Sequence, residues 1–177
     1  MKKKLLSALL ALTLILTSTT PAYASDITDT GVGTVPVDLT VETPIFSITV
    51  PTSLPITLDE YGEVSVATNA TIINGSAGPV KITNIQTKGI NGWSITNFAG
   101  LDINTAKVGT KSVGLSLNIG AANILTTGAD TNNFIGFISI IKGQTLPLIY
   151  DAVLPAQKTA QTSAQIAEVI FTVGWDD

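Results

Sequence analysis

The sequence predicts an all-β protein, an antiparallel β-sandwich of Greek-key or jelly-roll type with at most one short helix. Three observations carry that expectation. Apolar residues recur at every second position over short runs, the period that puts side chains on one face of a strand. Only 12% of residues are charged, and Thr, Val, Ile, Gly and Asn are abundant, which suits pleated strands and suits long helices badly. Turn-forming clusters separate the runs at intervals of about 8 to 12 residues, the spacing of sandwiches and barrels rather than of βαβ units.

Taken along the chain, Val35, Val37, Leu39 and Val41 share one face, as do Phe46, Ile48 and Val50, and then Leu54, Ile56 and Leu58. Val113, Leu115, Leu117 and Ile119 repeat the pattern, Leu146, Leu148 and Tyr150 follow it more briefly, and Val169, Phe171, Val173 and Trp175 give the strongest run. Turns are expected at Asp59–Gly62, Asn74–Pro79, Asn91-Gly92, Thr127–Asp130 and Lys142-Gly143. Residues 156–167, rich in Ala and Gln, suit one short helix or an ordered loop. Pro51, Pro55 and Pro147 interrupt strand-like runs, and because proline cannot donate to a ladder these segments should be edges or bends. The run Phe134–Ile141 is apolar on both faces, so it is either central in the sandwich or covered by another subunit.

The first 24 residues have the three-part pattern of a cleavable secretory signal. Lys2, Lys3 and Lys4 precede an apolar stretch from Leu5 to Leu16, and Ala22 and Ala24 supply the small residues a signal peptidase accepts, placing cleavage after Ala24. The apolar stretch is shorter than the roughly 20 residues that cross a bilayer core. The remainder of the chain is expected to comprise an extended arm, residues 25–43, and a single domain, residues 44–177. Loss of the three signal lysines leaves six Lys and no Arg against thirteen Asp plus Glu, a formal charge of −7. Such a chain has no electrostatic case for nucleic acid or for anionic lipid. The end at Gly174-Trp175-Asp176-Asp177 shows neither a hydrophobic tail nor a sorting motif, so attachment to a surface is expected to be non-covalent. An exported chain without cysteine must be stable without disulfides, which favours a bacterial source. In that setting the two Asn-x-Ser/Thr sites, Asn69 and Asn74, read as turn residues rather than glycan acceptors.

The residue inventory argues against catalysis. Histidine and cysteine are absent, which removes thiol nucleophiles, soft-metal sites and the Ser-His arrangement together, and no glycine-rich phosphate loop is present. A carboxylate pair can hydrolyse glycosides. Here, however, Asp59, Glu60, Glu63 and Asp130 fall in turns or strand ends, and Glu168 falls on the face opposite Phe171. No catalytic or cofactor residue is therefore assigned. Oxygen donors for calcium occur at Asp130-Thr131-Asn132-Asn133 and Asp26-Ile27-Thr28-Asp29, but neither follows the twelve-residue loop with its closing Glu. Trp93 and Trp175 are candidate partner anchors, with core packing as the competing reading, since each alternates with apolar neighbours.

At Asn91-Gly92-Trp93-Ser94-Ile95 the sequence resembles the first Trp-x-Leu motif of the WxL cell-wall-binding domains of Gram-positive surface proteins. Pro79–Asn84 and the final apolar strand are similar in placement to that family. Ile95 stands where the motif has leucine, and Phe171-Thr172-Val173-Gly174-Trp175 is not a second Trp-x-Leu. The resemblance implies non-covalent binding to cell-wall polysaccharide. The general plan is also that of small exported β-sandwich proteins that build fibres or biofilm matrix.

Two functions therefore stand as expectations. One is a secreted, non-enzymatic structural or adhesive protein that associates with itself through strand contacts. In that case Val35, Val37, Leu39 and Val41 of the arm, or the strand ending at Trp175, supply the contact. Pairing of the arm within its own sheet is the competing expectation. The other function is a wall or polysaccharide-binding module in which Trp93 or Trp175 stacks on a sugar.

Overall fold

The computed structural model describes residues 37–128 and 131–177, with side chains from all of these except 131 and 132. The proposed signal, Val35 and the Asp26–Asp29 donors lie outside the described residues, as does Asp130. Glu42–Asp177 forms one compact unit, and Val37–Val41 falls outside it.

The all-β expectation holds. Among the described residues there are eleven strands and no helix. They are β1 (Ile48–Thr49), β2 (Ile56–Leu58), β3 (Val64–Val66), β4 (Thr71–Asn74), β5 (Val80–Gly89), β6 (Ser94–Ile95), β7 (Ser112–Ile119), β8 (Ala122–Leu125), β9 (Thr131–Ile140), β10 (Thr145–Val153) and β11 (Ala167–Trp175). One sheet runs β1-β4-β10-β7, and the far side of β7 is shared by β6, parallel over Ser94–Ile95, and by β8, antiparallel. A second, fully antiparallel sheet runs β11-β5-β9, and β2 and β3 form a separate hairpin.

Alternation explains which faces are buried. Leu117 and Ile119 of β7, Leu148 and Tyr150 of β10 and Ile72 of β4 meet Val80, Ile82 and Ile85 of β5 and Ile138 and Ile140 of β9 in one cluster. Both larger sheets thus contribute to one core. A second cluster joins Trp93, Ile95, Val113, Leu115, Ala152 and Leu154, with Ile56, Leu58 and Val64 of the hairpin packed against it. The Tyr150 hydroxyl fixes the hairpin to β10. It donates to the Pro55 carbonyl at 2.6 Å and accepts from the Ala67 amide at 3.1 Å.

Several local expectations need refinement. Of the run Phe46–Val50 only Ile48–Thr49 is strand, paired with Asn74 and Ile73 of β4, and the run ends just before Pro51, which cannot donate to a ladder. Residues 156–167 form a bent loop that joins β11 at Ala167, with no helix. Pro147 lies in an interior strand, not at an edge: β10 pairs with β4 over Thr145–Pro147 and with β7 over Leu148–Val153. Leu148 donates to Ala70 on the β4 side, so the missing donor of Pro147 faces the side where the β7 ladder has already ended at Ile119. Phe134–Ile141 is not central either, since β9 is an edge of its sheet.

That sheet also bends. Thr172 faces Asn84, which faces Ile135, and Val173 faces Ile82, which faces Ile138. Between these two rungs β11 has no extra residue, β5 has Thr83, and β9 has Gly136 and Phe137. The sheet therefore fans open toward β9, as stacked bulges do.

A turn of type I′ character leads from β5 to β6. The Trp93 amide donates to Ile90 at 2.9 Å, and Asn91 and Gly92 both have positive φ, 53° and 81°. It is drawn so close that a Cβ on Gly89 would stand 2.2 Å from the Trp93 carbonyl oxygen. Gly89→Ala is expected to destabilise the fold by about 1–3 kcal/mol through this overlap, read as a lower urea midpoint. An unchanged midpoint would mean that the corner yields freely.

Candidate functional surfaces

The candidate anchors separate when placed on the fold. Trp93 is 8% exposed, in the second cluster. Trp175 is partly buried at the end of β11, where its ring meets Phe46 edge-on at 5.1 Å and lies against Gly78. Val37, Leu39 and Val41 belong to no strand and are exposed, Val37 by 94%. Trp93 and Trp175 fall in different core clusters.

Two surfaces were not read from the sequence. The first is the edge strand β9. Its outer face presents Ile135, 85% exposed, and Phe137, 78% exposed, with Ile141 just beyond, while Phe134, Ile138 and Ile140 turn to the core. It carries no charge and no proline, two of the devices that blunt an edge, while the bulge at Gly136-Phe137 is a third. The apolar signal was visible in Phe134–Ile141, but its position at an edge depends on pairing that periodicity does not encode.

The second surface is a cleft of about 1250 Å3. One wall is Pro51–Gly62, including all of β2, and the other is Gln157–Val169 with Phe171, including the start of β11. Leu115, Leu117, Leu148 and Tyr150 form its floor. The outer wall is held at both ends. Gly109 donates to Ala156 at 2.7 Å, Ile90 donates to Ile166 at 3.1 Å, and the Asn91 side-chain amide donates to Gln165 at 2.9 Å.

Charged side chains flank both features: Asp59, Glu60, Lys158 and Glu168 line the cleft, and Lys81, Asp176 and Asp177 lie beside Phe137. On the outer face of the bent sheet Lys81 pairs with Asp176 at 3.9 Å, and Ser139 is hydrogen-bonded to the same carboxylate. Asp102, in the loop between β6 and β7, has its carboxyl held below the ordinary carboxylate range, chiefly by the Asn104 amide and then by the Thr105 hydroxyl. That direction moves it away from neutral pH. Among the described residues no group of three or more Asp, Glu, His or Cys side chains is placed to hold a metal. No helix there is long and apolar enough to cross a membrane.

Fold and surfaces together define an all-β protein with an apolar edge strand and a cleft of mixed polarity over a buried apolar base. Comparison with protein-family models, with curated proteins and with solved structures finds no match.

Proposed function

We propose that this chain is an exported, non-enzymatic structural or adhesive protein whose working contact is β-strand association with further copies of itself. The observation that supports this reading most directly is β9, a ten-residue edge strand with Ile135 and Phe137 in solvent. An apolar edge without charge or proline can template another strand, here on the regular stretches either side of the Gly136-Phe137 bulge. The sequence expected this run to be either central or covered by another subunit, and its place at a sheet edge supports the second reading.

The chain from Ser25, as export would leave it, is expected to gain mass with concentration in size-exclusion chromatography with light scattering, with or without calcium. A monomer at every concentration would overturn the reading. Placing a charge on the edge gives a sharper prediction. Phe137→Lys is expected to lower the assembled mass at high concentration while changing stability by no more than about 0.5 kcal/mol, as exposed positions generally do. Undiminished assembly in that variant would remove β9 from the contact.

Polysaccharide binding through stacked tryptophan is the less supported alternative. Stacking needs an open ring face, and Trp93 is buried while Trp175 is already engaged by Phe46 and Gly78.

A further inference from the structure

We propose that the cleft between β2 and β11 is an acceptor slot for one β-strand, and that its occupant is the segment Val37–Val41 of a second copy of this chain. This inference rests on the self-association reading above and adds to β9 a second contact.

The case for a strand acceptor rests on which edges border the cleft. In the hairpin, β3 pairs on one side of β2, and β3 does not line the cleft, whereas Ile56, Thr57 and Leu58 of β2 all do. In the three-stranded sheet, β5 pairs on one side of β11, and β5 does not line the cleft, whereas Ala167, Glu168, Val169 and Phe171 of β11 do. The cleft is therefore bounded by two strand edges that have no ladder partner on that side. A single strand laid between them would join β3-β2 to β11-β5-β9 as one sheet and would satisfy backbone groups on both sides.

The lining selects what kind of strand fits. Leu115, Leu117, Leu148 and Tyr150 form a buried apolar base, and the half-buried Ile56, Leu58, Val169 and Phe171 border the cleft above it, so an incoming strand meets apolar side chains on its inner face and solvent on its outer one. The segment Val37-Asp38-Leu39-Thr40-Val41-Glu42 alternates in that sense, with Val37, Leu39 and Val41 on one face and Asp38, Thr40 and Glu42 on the other. Val35 extends the apolar face by one position in the sequence, and Pro36 removes one donor near the start of the paired run. Five residues of strand span roughly 13 Å between their first and last Cα atoms, enough to run beside β2 and the first half of β11. Val37–Val41 belongs to no strand, and Val37, Leu39 and Val41 are exposed, so the segment has no ladder of its own to give up.

Cross-linking tests this on a chain that has no cysteine of its own. Chains from Ser25 carrying Thr40→Cys are mixed with chains carrying Glu168→Cys and treated with a short bismaleimide. A parallel mixture uses Lys142→Cys, at the exposed β9–β10 turn, in place of Glu168→Cys. The expected result is a several-fold excess of the Thr40–Glu168 heterodimer over the Thr40–Lys142 control. Leu39→Asp, at an exposed position that the fold does not need, is expected to reduce that heterodimer to the control level and to lower the assembled mass.

Equal yields in the two mixtures would overturn the proposal. So would a chain carrying both Thr40→Cys and Glu168→Cys that links within itself and stays at monomer mass, because the arm would then fill its own slot. If the unmodified chain assembles and Leu39→Asp assembles equally well, self-association stands and the slot assignment falls. If the unmodified chain never exceeds monomer mass, the self-association reading itself has failed.

Discussion

Trp93→Ala is expected to lower the stability of the folded chain by about 3–5 kcal/mol, the cost of truncating a large buried aromatic. The indole lies among Ile95, Val113, Leu115, Ala152 and Leu154, with Ile56 and Leu58 of the hairpin and Val169 of β11 packed on the same cluster. Removing it opens a cavity where the hairpin, β7 and β11 converge, and the tight turn at Asn91-Gly92 restricts how far the backbone can relax into it. A small domain has only about 5–15 kcal/mol in hand, so a large shift in the urea midpoint is expected. Trp175→Ala should cost distinctly less, since Trp175 is only partly buried and contacts Phe46 at a chain end. The comparison separates the two roles offered by the sequence. Equal, small stability losses together with a selective loss of pelleting on purified cell wall would restore the sugar-stacking role of Trp93.

Periodicity found the strands that are long and regular. Val113–Ile119, Leu146–Tyr150 and Val169–Trp175 were legible because each keeps one face to the core for its whole length, and Glu168 falls on the outer face as expected. β5, equally long, was harder to read because its phase slips. Val80 and Ile82 point inward, then both Thr83 and Asn84 are consumed at the bulge before Ile85 and Thr87 turn in again. β3, β4, β6 and β8 have two to four residues each, too few for a period to declare itself.

The surfaces were less legible than the strands for a different reason. An edge is defined by what a strand lacks as a neighbour, and a slot by two such edges facing one another, so both are properties of pairing. The donor half of the proposed contact was nevertheless visible, because Val35, Val37, Leu39 and Val41 form a run of alternation. Its acceptor was not, since β2 and β11 stand over a hundred residues apart in the chain. An arm that fits a slot on the next copy is a heterologous contact, and unless its rotation closes a ring it builds an open chain of subunits. Edge strands such as β9 would then remain along the sides of that chain, available for lateral contacts.

Asn74→Ala is expected to cost about 2–4 kcal/mol, because it strands several buried hydrogen-bonding groups at once. The residue reads as a surface turn in the sequence, yet its side chain is fully buried at the end of β4. Its amide nitrogen donates to Gly78 at 3.0 Å and to Ile140 at 2.9 Å, and its oxygen accepts from the Ser76 amide at 2.8 Å. Its own backbone accepts from Gly143 and donates to Gln144. One side chain thus joins β4 of the larger sheet to the end of β9 and shapes the loop whose Ser76 hydroxyl accepts from the Ser47 amide and donates to the Ser47 carbonyl. Alanine keeps the backbone bonds but leaves the Ile140 carbonyl and the Ser76 amide without their side-chain partner. The loss corresponds to a fall in Tm of roughly 10 °C for a domain of this size. Asn69→Ala supplies the control, since Asn69 occupies the other Asn-x-Ser/Thr site and is exposed, so its effect should stay within about 0.5 kcal/mol. Matching melting curves for the two variants would show that water replaces the Asn74 bonds and that β4 and β9 are held together by their apolar contacts alone.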